Sequence, residues 1–188
     1  SNAVTKRVSE GKDQGAYTTA SVAIIFGLFV VVAAGIVLFR EQVTNYVGYP
    51  ATGFVLLFLF VTLVNGVIIS VLEGLHLVHL SGILSTVRTA GRAVAQVGLI
   101  AVGFETVSLF VGHLVGYGIV IVIGGYYFVR QLPEFQRPER RHFVQLTDFA
   151  KFSWLGSLQS RMFSYTDVLV LGVFVSSGLI GVYAAAWN

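Results

Sequence analysis

Cysteine is absent from the 188 residues, which removes disulfides, thiolate zinc sites and a cysteine nucleophile. Charge is scarce: Asp, Glu, Lys and Arg make up 11% of the chain, where a soluble domain carries about a quarter. The three prolines, Pro50, Pro133 and Pro138, all fall between apolar runs, as expected when the runs are helices that proline would break. No P-loop, HExxH, GxSxG or dinucleotide fingerprint occurs, so no nucleotide-driven module is encoded and no cofactor is called for. What is present is apolar: 55% of the residues, with a mean hydropathy of +0.81. A soluble fold of this size needs far more polar surface. An ordinary soluble enzyme, a disordered chain and a coiled coil are thereby excluded, which leaves an all-α integral membrane protein. A β-barrel would show ten-residue segments of alternating polarity, and these runs are continuously apolar.

About 20 apolar residues of helix cross a bilayer core. Runs of that kind are expected at 17–39, 51–72, 84–104, 106–129 and 152–175, with a partial one at 179–188. This gives a helical bundle of about five complete transmembrane helices plus the start of a sixth. Residues 1–16 read as a polar tail or loop, and 130–151 as a charged loop. The chain has no initiator Met and stops inside an apolar run, which reads as an internal fragment of a longer membrane protein.

Basic residues set orientation. Numbering the flanks alternately puts Lys6, Arg7, Lys12, Arg88, Arg92, Arg130, Arg137, Arg140, Arg141 and Lys151 on one side, with Arg40 on the other and Arg161 inside a span. Residues 1–16, 73–87 and 130–151 are therefore expected to be cytoplasmic, and the net charge of +3 is a topology signal rather than a nucleic-acid footprint. The basic loop 130–151 reads as a solvated, topology-setting connector rather than as a contact for anionic lipid headgroups or a cytoplasmic partner. Trp154 and Trp187 read as interfacial anchors.

Ionisable groups inside spans cost about 2.5–3.5 kcal/mol each on insertion scales and face a bundle interior or a hydrated cavity. Ser85, Arg88, Arg92 and Gln96 fall at i, i+3, i+7 and i+11, one stripe of the third span. The two arginines would repel unless water or an anion lies between them. Arg88 lies within a turn of the interface, where snorkelling accounts for it. For the deeper Arg92, snorkelling and a cationic strip that meets phosphate or acidic sugar both stand. In the fifth span Ser153, Ser157, Ser160, Ser164 and Asp167 lie within about 40° of one line at 100° per residue, with Arg161 at the border. Ser157, Ser160, Ser164 and Gln96 are read as cavity-lining. Thr62, Asn65, Gly66 and Ser70 form a weaker patch above Glu73, attributed to interhelical hydrogen bonds. His113 is read as a satisfied structural histidine rather than a proton relay. His76 and His79 lack a third metal ligand. Ser108, Gly112 and Gly116 make a small-xxx-small face for close helix packing.

The run Ala3-Val-Thr-Lys-Arg-Val-Ser-Glu-Gly11, the link Glu73-Gly-Leu-His-Leu-Val-His-Leu-Ser81, and the stretch from Arg161 through Asp167 to Gly181-Val-Tyr183-Ala-Ala-Ala186 resemble polysaccharide or oligosaccharide flippases, the link being similar to archaeal members. These belong to the multidrug/oligosaccharidyl-lipid/polysaccharide superfamily. The resemblance covers the whole chain, with its first five spans as family helices three to seven. It implies a bundle of two six-helix halves, to which this chain supplies most of the first and the entry to the second.

The function implied is not enzymatic. It is the flipping of a lipid-linked oligosaccharide across the plasma membrane by alternating access around a cationic cavity. Arg92, Arg161 and Arg88 would attract the anionic headgroup, and Asp167 would hydrate the lumen or couple to a cation. The implied partners are a lipid-linked glycan, membrane lipids and a coupling cation, with no nucleic acid. A cation-coupled multidrug antiporter of the same superfamily is the first alternative, but it needs more buried carboxylates than Asp167. A membrane-embedded glycosyl- or acyltransferase is a second, with only Glu73, His76 and His79 as an interfacial cluster. A scaffolding subunit, which needs no ionisable residues inside spans, is a third.

Overall fold

The computed structural model describes residues 2–47, 52–131 and 136–151, together with Ser153, Gly156, Gln159, Thr166 and Val170. The expected helices 152–175 and 179–188 therefore lie almost wholly outside the described residues, as do Trp154, Trp187, Arg161, Asp167, Ser157, Ser160 and Ser164. The described chain is helical, with no strand among its residues. It divides into two compact units, 1–147 and 148–188. In the second unit each described residue is helical, and Lys151 Nζ pairs with Asp148 Oδ1 at 3.1 Å.

The first unit opens with α1, Asn2–Ser9, followed by α2, Gln14–Leu38. The expected tail is thus a helix. Ala3, Val4 and Val8 are buried, and Val4 and Val8 at i, i+4 give α1 one apolar face. The elbow between the two helices uses left-handed residues at Gly11 (φ 75°) and Asp13 (φ 51°). Gln14 Nε2 donates to Val8 O at 2.8 Å across it. Helix α3, Arg40–Val47, occupies a stretch expected to be a loop. Helix α2 ends at Phe39, whose backbone (φ −100°, ψ 26°) leaves the helical region although its N–H still donates to Gly35 O, and the good helix formers Arg40, Glu41 and Gln42 then start α3.

Next come α4, Thr52–Gly74, α5, Val78–Ala101, and α6, Glu105–Gln131. The α4–α5 connector is only 75–77, not the expected segment 73–84. It closes through a left-handed His76 (φ 62°), with His76 N donating to Glu73 O and Leu77 N to Leu72 O. That is a Schellman cap with histidine in place of the usual glycine. His76 therefore has a backbone task, and among the described residues no three metal-binding side chains gather. Gly103 (φ 94°) closes α5 in the same way.

Residues 136–139 have no regular secondary structure, and a helical run then covers 140–151, where a loop was expected; its part in the first unit, 140–147, is termed α7. Its apolar and aromatic positions dock on the start of α2. Leu146 and His142 are buried with Ala16, Tyr17 and Ala20. The Tyr17 and His142 rings meet edge to face, 4.8 Å apart, and Tyr17 Oη donates to Gln145 Oε1. His142 Nδ1 accepts from Glu139 N. Asp13 Oδ2 lies 3.3 Å from Arg141 Nη2 and 3.4 Å from His142 Nε2.

The long helices alternate in direction. Phe29 of α2 meets Phe60 of α4. Phe54 of α4 meets Phe110 of α6, and Ile68 packs at Gly124, so α4 and α6 run parallel. Helix α5 lies antiparallel along α6. A small core of Ile68, Leu72, Leu84 and Val120 joins α4, α5 and α6.

By length and apolarity three described helices can cross a membrane: Gln14–Leu38, Thr52–Gly74 and Val107–Gln131. Of the four expected crossings that fall within the described residues three qualify by this measure; α5, with Arg88, Arg92 and Gln96, is too polar, and the fifth expected run, 152–175, lies outside the described residues. Apolar side chains face outward all along these helices, Val31 at 70% and Leu38 at 79% exposure, far more apolar surface than water tolerates.

Candidate functional site

The seam between α5 and α6 is set by absent side chains. A Cβ on Gly116 would lie 2.6 Å from Arg88 O, and one on Gly112 would overlap Gln96 Cγ and lie 3.1 Å from Arg92 O. Ser108 is fully buried on the same stripe. The small face expected from the sequence thus lets the two backbones touch, and it brings the polar strip of α5 onto α6.

There Arg92 Nη1 lies 3.1 Å from His113 Nε2, and His113 Nδ1 lies 2.8 Å from Leu109 O. A carbonyl can only accept, so Nδ1 carries the proton. Nε2 then accepts from the guanidinium, and the ring is neutral; this tautomer follows from its partners. His113 is satisfied, as expected of a structural histidine, but its partner is a cation. Gln96 Nε2 donates to Leu109 O at 3.2 Å, one turn further along. Arg88 Nη2 donates to Ser85 Oγ at 3.3 Å, and its guanidinium stands 5.3 Å from the Tyr117 ring centre, within cation–π range. Phe58 of α4 backs both rings, 5.7 Å from His113 and 5.9 Å from Tyr117.

Arg88, Thr89, Arg92, His113 and Tyr117 line a pocket of about 80 Å³. Among the described residues no carboxylate lies within ion-pair distance of either arginine. Their mutual repulsion is therefore managed by neutral partners, imidazole, hydroxyl and aromatic ring, which fix both guanidiniums without cancelling their charge. An anion is the ligand such a place suits.

Of the site residues expected from the sequence, the structure brings Arg88, Arg92 and Gln96 together. Arg161, Asp167, Ser157, Ser160 and Ser164 fall outside the described residues. Tyr117 and Phe58 were not foreseen. Tyr117 lies one turn beyond His113 on α6, but only the α5–α6 register shows that this matters. The patch on α4 also differs from expectation. Ser70 Oγ donates within its own helix, to Gly66 O, while Thr62 Oγ1 and Asn65 Oδ1 are buried without a hydrogen-bond partner. Interhelical hydrogen bonding does not account for those two atoms.

Two curated archaeal proteins match the chain along almost all of its length. The probable flippase AglR of Haloferax volcanii is 30% identical over 194 residues, covering 99% of this chain and 39% of the relative. The probable low-salt glycan biosynthesis flippase Agl15 of the same organism is 23% identical over 186 residues, with the same coverage. The chain thus spans about two fifths of the length of the curated relatives it matches. No protein-family model matches it, and no solved structure matches it significantly.

Proposed function

We propose, from the premise that the chain belongs to the archaeal-type polysaccharide and oligosaccharide flippase family, that it forms part of a transporter that moves a lipid-linked oligosaccharide from the cytoplasmic to the outer face of the plasma membrane. The observation that carries this is the pair of uncancelled guanidiniums on α5. A phosphate-bearing lipid headgroup has to leave water on its way across, and fixed positive charge at low dielectric offsets that loss. Arg92 and Arg88 would hold the phosphate, Gln96 would extend the polar strip, and the lipid tail would stay in the bilayer. Arg161, Asp167, Ser157, Ser160 and Ser164 lie outside the described residues; by the family resemblance Arg161 would share in attracting the headgroup, the serines would line the cavity, and Asp167 would be the candidate for a coupling cation. Alternating access would rock one half against the other. Helix α5, although too polar to qualify by composition, would cross beside α6, since the two are in contact from Leu84 against Gly124 to Gln96 against Leu109.

The test is export of cell-surface glycan in cells lacking their own flippase, complemented with full-length variants. At equal membrane level, activity is expected to fall in the order Arg92, Arg92→Lys, Arg92→Ala, Arg92→Glu. Charge survives in lysine without the fork, is lost in alanine and is reversed in glutamate. Normal export by both the Ala and Glu variants would remove Arg92 from the substrate path.

A further inference from the structure

Beside the arginine pocket lies a second, larger one of about 420 Å³ between α4 and α5. Its polar lining comes from Asn65, Ser70 and Glu73 on α4 and from Ser81, Ser85 and Arg88 on α5. Arg88 is common to both pockets. Asn65 is only 6% exposed, and its Oδ1 has no partner. A buried amide oxygen left unpaired is costly, and in a native protein it calls for an explanation.

The chemistry of the lining narrows the ligand. Ser70 Oγ donates to Gly66 O and Ser81 Oγ to Val78 O, so both hydroxyls turn lone pairs outward as acceptors. Ser85 Oγ takes a hydrogen bond from Arg88 and keeps its own proton to give. The Glu73 carboxylate accepts, the Asn65 side-chain amide adds a polar group to the wall, and the remaining Arg88 N–H groups donate. The pocket therefore carries one positive and one negative group, with acceptors outnumbering donors. A metal cation would be repelled by Arg88, and a phosphate by Glu73. A ligand with several hydroxyls, each able to donate and accept, suits both ends. The volume lies within the range of small-molecule sites.

The geometry points to a sugar-binding pocket: a pyranose ring held between α4 and α5 by Asn65, Glu73, Ser81 and Ser85, its phosphate held next door by Arg88 and Arg92. This rests on the flippase reading above and adds to it where the first sugar of the headgroup sits. Arg88 then stands at the junction of sugar and phosphate, with a hydroxyl on one side and an aromatic ring on the other. Specificity for the sugar would reside in α4, the helix that contributes no cation.

The experiment uses full-length protein in lipid nanodiscs and two probes, glucose 1-phosphate and inorganic phosphate, in equilibrium binding. Wild type should bind the sugar phosphate more tightly than phosphate. Asn65→Ala, and the milder Glu73→Gln at a half-buried position, should each weaken glucose 1-phosphate about tenfold, the loss of one or two good hydrogen bonds, and leave phosphate unchanged. Arg92→Ala should weaken both probes. In a background without other cysteines, Gly82→Cys, at a lining position with open space for a side chain, should be shielded from a thiol reagent by free glucose, and Thr89→Cys by phosphate. If Asn65→Ala and Glu73→Gln change neither probe and glucose does not shield position 82, the sugar pocket is overturned while the phosphate site stands. If phosphate neither binds nor shields position 89, yet glucose still shields position 82, the anion site fails and the sugar pocket stands. Equal weakening of both probes by Asn65→Ala and Glu73→Gln would assign those residues to packing and also overturn the proposal.

Discussion

At the scale of single residues, the unusual feature is a permanent cation hydrogen-bonded to an imidazole. His113 is held from behind by Leu109 O and in turn holds Arg92, so it positions the guanidinium without adding charge. His113→Phe keeps the ring that packs against Phe58 and removes the acceptor. Export should fall a few-fold, less than for Arg92→Ala, with unchanged membrane level. His113→Gln, which can still accept, should recover part of that loss. An effect of His113→Phe as large as that of Arg92→Ala would mean that the imidazole itself does the work. The sequence made half of this site legible. Arg88, Arg92 and Gln96 share a stripe because 3.6-residue periodicity places them there whatever else the chain does. Their partners did not show, because His113 and Tyr117 meet that stripe only through one particular register of α6 on α5. Nor could spacing tell that Ser70 would satisfy itself within α4 and leave Asn65 unpaired.

At the scale of elements, two glycines fix that register. Gly116→Ala would drive a methyl group against the Arg88 carbonyl, and backbone cannot step aside as a side chain can. Overpacking of this kind costs about 1–3 kcal/mol. Gly118 has nothing within 4 Å of its virtual Cβ, so Gly118→Ala should be neutral or gain up to about 1 kcal/mol of helix propensity. Thermal unfolding of the two purified variants is the check: a lower midpoint for position 116 and none for position 118. Gly74→Ala should act in a third way. Its Cβ would lie 2.6 Å from Val8 Cβ and 3.0 Å from Thr5 O, so it should loosen α1 from α4 and expose the α1 backbone to hydrogen exchange. The long apolar helices were readable because nothing competes with a continuous apolar run. The shorter ones were not. Helices α1, α3 and α7 are built from mixed polar residues, and α1 and α7 are held by docking, as with Val8 on Gly74 or Tyr17 on His142.

At the scale of the whole chain, the alternation of α2, α4, α5 and α6 gathers charge at one end. The α1–α2 elbow with Lys6, Arg7 and Lys12, the C-terminus of α6 with Arg130, and α7 with Arg140 and Arg141 all lie there, while α3 lies at the other end. The positive-inside rule then predicts that the first end is cytoplasmic. Exposed His79 and Gln136 belong to the first end and exposed Glu41 to the second. Single cysteines at these positions give the test. An impermeant thiol reagent applied to intact cells should label position 41 and spare 79 and 136. The reverse pattern would invert the topology and, with it, the direction of entry to the α5 site. Position 81, in the same region, is a poor choice because Ser81 is buried.

The tie between Asp13 and Arg141 also sets a schedule. The two residues are 128 apart in the chain, so at about 5–20 residues per second the ribosome delivers Arg141 roughly 6–26 s after Asp13. Throughout that interval Tyr17 is uncovered and Asp13, just ahead of α2, lacks its partners on α7, even though α4, the helix on which α1 packs, is complete well before Arg141 arrives. The elbow can close only after the fourth long helix has been threaded, which makes its closure a late step of biogenesis. A cysteine at position 17 should therefore react freely in stalled nascent chains that end before Arg141 and become shielded in chains that extend past Leu146.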